Sequence, residues 1–236
     1  MFATSAISAM VGFGGGAMLI AVVLLFMPPG SAIPFHGMLQ LVANSSRVVL
    51  LRRWVAWPLA VPYLVLLPLG AVLGRWLFGG ISERAIFVLI GLFVLATLVS
   101  REVPFLKGRE YPRWFFLLLG LGVGILGSTV GVVGVLVAPF LDRRDLTKEG
   151  INGTMAVMTA AMHLMKIAAF TAFGFDVVAH LPLMLLLAPA VILGSYFGKS
   201  ILVRFSERAF RLLFKGTLAA LALKLMLWDG LLKALL

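Results

Sequence analysis

Val11-Gly12-Phe13-Gly14-Gly15-Gly16 stands in the middle of an apolar run from Phe2 to Met27. Each of its four glycines costs a helix about 1 kcal/mol against alanine, so helix stability did not select them. Irregular backbone inside a membrane persists only where protein buries it or a watery cavity receives its polar groups. The stretch therefore predicts a chain break near mid-membrane that presents backbone N–H groups.

The surrounding composition places that break in a bilayer. With 62% apolar and 12% charged residues, the chain lies far outside the soluble range and is expected to be a polytopic membrane protein. Its net charge of +11 sits in short loops between apolar runs, which is topology signalling and not a nucleic-acid interface. There is no cysteine, which excludes disulfides, thiolate chemistry and Cys-based metal sites.

Apolar runs of bilayer length fall at Phe2–Met27, Ile33–Leu51, Trp57–Leu77, Ala85–Ser100, Trp114–Leu141, Gly150–Phe173, Val177–Ile201 and Ala209–Leu227. An internal repeat relates them. Ser82-Glu83-Arg84-Ala85 recurs as Ser206-Glu207-Arg208-Ala209, and Gly70/Gly74 recurs as Gly194/Gly198 at the same offset. Gly12 and Gly15 correspond to Gly131 and Gly134, and His36-Gly37 to Asn152-Gly153. The expected halves are residues 1–100 and 114–236, joined by a basic cytoplasmic linker over 101–113.

Eight full crossings would divide the loop lysines and arginines almost evenly between the two sides. If Trp114–Leu141 instead enters and leaves by one face, only Arg75, Arg84 and Lys233 remain outside. The repeat transfers this hairpin to Phe2–Met27, with arms of about 15 Å and a glycine tip near the midplane. The predicted fold is an all-α membrane protein of two inverted repeats. Each comprises one re-entrant helical hairpin plus three transmembrane helices, and both termini face outside.

The candidate site follows from this architecture. Gly12, Phe13, Gly14, Gly15 and Gly16 at the first tip would offer helix N–H groups to an anion. Ser128, Thr129, Gly131 and Gly134 at the second would meet them from the other face. Close helix packing through small residues is the alternative for both clusters. His36, Gln40, Asn44 and Arg47 share one helix face, as do Asn152, Thr159, His163 and Lys166. Ser45 adds a neighbouring hydroxyl. Cations without carboxylates on these faces imply an anionic substrate, although Arg47 could instead snorkel among Arg52 and Arg53 and His163 could be a core histidine.

Met155, Met158, Met162 and Met165 form a stripe that suits either a soft-metal path or adaptable core. The alternative function is accordingly a membrane-embedded metal-binding or assembly protein using Met and His. The three histidines show no metal-ligand spacing, and no catalytic constellation is present, so neither an enzyme, a cofactor nor a bound metal is expected. Gly70/Gly74 read as helix contacts, and Ser82 as a helix N-cap.

The glycine cluster, Gly131/Gly134 followed by Pro139, the two polar second segments and the four-plus-four repeat resemble the sulfite and sulfonate exporter family TauE/SafE. The resemblance covers nearly the whole chain. It implies a multi-pass transporter in the plasma membrane of a bacterium or archaeon, carrying small sulfur anions such as sulfite, sulfoacetate or related organosulfonates. The expected partners are that anion and the lipid bilayer, with no nucleic acid; aromatic residues facing lipid are compatible with a homodimer.

Overall fold

A computed structural model describes residues 15–99, 110–130, 134–143, 145–202, 215–216 and 219–231. Every regular element among them is helical. The helices are α1 Gly15–Val23, α2 Pro29–Leu51, α3 Trp57–Gly79, α4 Glu83–Val99, α5 Arg113–Val130, α6 Gly134–Leu141, α7 Lys148–Ala172 and α8 Val177–Leu202, followed by a π-helical segment at Lys224–Leu231.

Local chemistry sets the boundaries. Pro29 opens α2, where a missing N–H costs nothing and φ is already helical. The Ser82 hydroxyl accepts from the Ala85 N–H at 3.3 Å, as expected of an N-cap. Thr147 caps α7 through the Gly150 N–H at 3.1 Å. That helix ends at Gly174, whose φ of 95° lets the Phe175 N–H fold back onto the Phe170 carbonyl at 2.9 Å.

α3 and α7 are long and apolar enough to cross a membrane, whereas α5 and α8 contain shorter apolar stretches. Along α3, Val61, Val65, Leu69, Val72 and Trp76 are exposed, a face suited to lipid rather than water. Trp57 and Trp76 mark its two ends about 28 Å apart, close to the thickness of the hydrocarbon core.

α3 and α5 run parallel in close contact through glycines. A Cβ on Gly120 would meet the Tyr63 carbonyl oxygen, one on Gly70 the Leu121 carbonyl, and one on Gly74 that of Ile125. Gly124 lies against the Gly70 backbone, within 2.8 Å of where its Cβ would be. Gly70 and Gly74 are thus the helix contacts that their spacing suggested.

The segment from Trp114 to Leu141 is two helices, and its ends meet. Phe140, at the close of α6, packs on Tyr111 and Phe115 before and within the first turn of α5, with ring centroids 5.3 and 5.1 Å apart. Arg143 Nη1 donates to the Tyr111 carbonyl at 3.1 Å, while Nε and Nη2 each donate to an Asp145 carboxylate oxygen at 2.9 Å. The arms differ from the similar half-helices expected. α5 has 18 residues, about 27 Å, and α6 has 8, about 12 Å. Gly120 and Gly124 of α5 pack on the backbone of α3, so the glycines of this arm serve as helix contacts.

α2 and α7 pack antiparallel at the centre. Gly37, early in α2, faces Lys166 and Ile167 late in α7; Gly153, early in α7, faces Leu51 at the end of α2. Two apolar cores flank this pair. One joins α1, α2 and α4 around Ile20, Ile33 and Ile90. The other joins α3, α5, α6 and α7 around Tyr63, Phe116 and Met158. Met155, Met158 and Met162 are buried in the second and Met165 packs against it, so the methionine stripe is core.

Candidate functional site

α2 and α7 carry polar side chains on the faces they turn to each other, and the close approach at Gly37 lets those side chains meet. His36 is fully buried, and its Nε2 lies 3.1 Å from the carbonyl oxygen of Gly16. α1 is thereby tied to α2 at Gly16. Gln40, one turn further along α2, sits against Gly16 where any side chain on that residue would collide with its amide.

From α7, the His163 ring stands edge-on to His36 with centroids 5.6 Å apart. Lys166 follows one turn later, fully buried, with its aliphatic stem against Gly37. His36 Nδ1 and His163 Nδ1 are buried without a hydrogen-bond partner, and such orphans are uncommon in folded proteins. The only acidic residue on α2 or α7 is Glu149, in the first turn of α7. Two imidazoles, one ammonium, the Gln40 amide and the Gly16 carbonyl therefore converge from three helices without a carboxylate among them.

The other expected residues divide. Asn44 is buried, but its Nδ2 donates to the Gln40 carbonyl at 2.8 Å. The Thr159 hydroxyl is likewise buried and donates to the Met155 carbonyl at 2.7 Å. The antiparallel register set by Gly37 and Gly153 brings these two level with each other, one step deeper than the histidines. Arg47 is half-buried with Nη2 unpartnered, three turns from His36. Ser45 is exposed, as is Asn152, whose Nδ2 donates to the Lys148 carbonyl at 2.9 Å. Neither is brought to the histidines.

Ser128 is fully buried in the last turn of α5, its hydroxyl without a partner. Thr129 belongs to the same turn, and Gly134 opens α6. Gly12, Phe13, Gly14 and Gly131 lie outside the described residues, and Gly15 is the first described residue of α1. No group of three or more His, Cys, Asp or Glu close enough for a metal occurs among the described residues.

Two features have no counterpart in the expected site. Tyr63 is fully buried with its hydroxyl unpartnered. Arg75 lies over the rings of Phe78, Phe170 and Phe173 at 4.8 to 5.3 Å, beside a cavity of about 370 Å³ lined also by Pro28, Gly30, Ser31 and Glu83. An arginine inside the long apolar run of α3 was the available signal for this cavity.

Comparison with known proteins bears on what the cluster serves. A triacylglyceride transporter of Mycolicibacterium smegmatis is 36% identical over 125 residues, covering 50% of this chain and 22% of that protein. The chain thus spans about a fifth of the length of this curated relative. No solved structure matches. The profile of the sulfite exporter TauE/SafE family matches residues 1–225, a family of membrane transporters and not of enzymes. A match over nearly the whole length, on a helical chain with lipid-suited faces, makes this protein a member of the TauE/SafE family.

Proposed function

We propose that this chain moves small sulfur-containing anions, such as sulfite, sulfoacetate or related organosulfonates, across the plasma membrane. The observation that carries this reading is the buried cluster of His36, His163 and Lys166 beside Gly16, with no carboxylate beside it among the described residues. A cluster that gathers donors and positive charge in a membrane interior costs free energy until an anion offsets it. Sulfite and sulfonate groups suit it because they spread their charge over several acceptor oxygens.

In this reading the chain is two inverted halves, residues 1–100 and 114–236, with both termini outside and the 101–113 linker in the cytoplasm. The reciprocal Gly37 and Gly153 contacts support inversion, because equivalent helices related by an axis in the membrane plane must run antiparallel. The meeting of Tyr111 and Phe140 with Arg143 supports a hairpin at α5–α6 that returns to the face it left. Rocking one half against the other about the α2–α7 contact would expose the cluster to each side in turn. Asn44 and Thr159, level in the same interface, would receive the anion on its way from the cytoplasmic side. The lipid named for the Mycolicibacterium relative suits these donors less well than an anion does.

Purified full-length protein in liposomes should take up radiolabelled sulfite or a small sulfonate well above protein-free vesicles. His163→Ala should reduce that uptake about tenfold or more, the loss of one charge-assisted hydrogen bond of about 1.5–3 kcal/mol. Flux equal to that of empty liposomes for every small sulfur anion would refute the reading.

A further inference from the structure

We infer that His36 makes the site take up one proton with each anion, so that the protein is a proton-coupled anion carrier; this rests on the anion-transport reading above. The Gly16 carbonyl can only accept a hydrogen bond, so His36 Nε2, 3.1 Å away, must carry the hydrogen. In a neutral imidazole the other nitrogen is then a bare lone pair. That nitrogen, Nδ1, is buried without a hydrogen-bond partner.

A bare lone pair repels the oxygens of a sulfite or sulfonate. An anion oxygen can approach Nδ1 only if a proton lies between them. Carried on Nδ1, that proton makes an imidazolium that donates to Gly16 on one side and to the anion on the other. Carried by the anion, it is donated to Nδ1. The stoichiometry is the same in both cases, one proton from the aqueous phase per bound anion: an N–H bond on Nδ1 or an O–H bond on the anion forms as a hydronium O–H bond breaks, and no bond between heavier atoms changes.

The surroundings couple the two events. α7 presents His163 and Lys166, and α8 brings His180 against Phe35, the neighbour of His36. α1 carries no titratable side chain in Gly15–Val23, and α2 itself has only Arg47 beyond His36. α4 and α5 carry their charges in their first turns, as Glu83 and Arg84 and as Arg113; Arg52 and Arg53 follow the far end of α2. A proton added here raises positive charge where no carboxylate among the described residues compensates it, and an anion lowers it. Each therefore favours the binding of the other, by the same factor in both directions.

The test uses full-length protein in liposomes with a pH-sensitive dye in the lumen, offered radiolabelled isethionate and, separately, radiolabelled sulfite. Isethionate keeps its sulfonate ionised and brings no proton of its own. Coupling predicts lumen acidification in step with anion entry. It also predicts monoanion flux indifferent to membrane potential, and an apparent KM that rises about tenfold per pH unit on the alkaline side. His36→Gln keeps an amide N–H able to donate to Gly16 but cannot take the proton, so its proton-to-anion ratio and its pH slope should both fall towards zero. Anion entry without acidification in the wild type overturns the coupling and leaves the transport reading standing. Acidification and slope unchanged in His36→Gln removes His36 from the role. No flux of either anion overturns both readings. If His36→Gln does not accumulate, the wild-type acidification and potential measurements decide alone.

Discussion

Lys166 brings an aliphatic ammonium to a site whose other described groups are two imidazoles, an amide and the Gly16 carbonyl. Its stem is packed against Gly37 and it has no exposed surface. Replacing a buried charge by an apolar side chain of similar length is often neutral or stabilising, so Lys166→Met should keep or raise the Tm while lowering anion uptake about tenfold or more. Equal losses of stability and flux would make Lys166 structural. Gly16→Ala tests the opposite end of the site. Its methyl group strikes the flexible end of Gln40 and reaches only van der Waals distance, 4.0 Å, of His36 Nε2, so the fold should survive while the displaced amide weakens uptake, read as a raised KM. His36, Gln40, His163 and Lys166 were legible because helical spacing reports which side chains share a face. Asn152 shows the limit of that signal: it shares a face with His163 but lies three turns away, since periodicity fixes angle and says nothing of depth.

At the scale of elements, the glycines sort themselves by what a Cβ would touch. Gly120→Ala drives a methyl group into the Tyr63 backbone and should destabilise by about 1–3 kcal/mol or more, because a carbonyl in a packed helix cannot give way. Gly122, two residues on, has nothing within 4 Å. Gly122→Ala should therefore be neutral or stabilising by up to about 1 kcal/mol. Thermal unfolding in detergent compares the two, and equal effects would remove the α3–α5 contact as the cause. The base of the α5–α6 pair responds to acid. Hydrogen bonds from Arg143 hold the Asp145 carboxyl below its ordinary value of 3.8. That contribution is complete above this value and is lost as pH falls through the depressed one, a small effect of under about 1 kcal/mol for an exposed pair. Arg143→Leu should abolish that acid dependence in the unfolding curve. Gly70/Gly74 could be read from sequence as packing residues; that Gly120/Gly124 receive them could not, since pairing between helices distant in sequence leaves no local trace.

For the whole molecule, the decisive quantity is which face each loop occupies. The natural absence of cysteine makes this accessible. Single cysteines at Ser31 and Asp145 should react with an impermeant thiol reagent from outside and from inside respectively. Reaction of both from one side would remove the hairpin topology and with it the inverted halves. The sequence by itself determined the apolar composition that suits a membrane, the helical class and which polar side chains share a helix face, because composition, periodicity and charge placement are local properties written residue by residue. Only the tertiary structure decided that α2 and α7 run antiparallel with His36 against His163, that α5 is the long arm and α6 the short one, and that the Gly16 carbonyl chooses the tautomer of His36. Those are consequences of helices touching at particular depths, where close packing at Gly37, Gly120 and Gly153 selects one register among the several that each helix alone would permit.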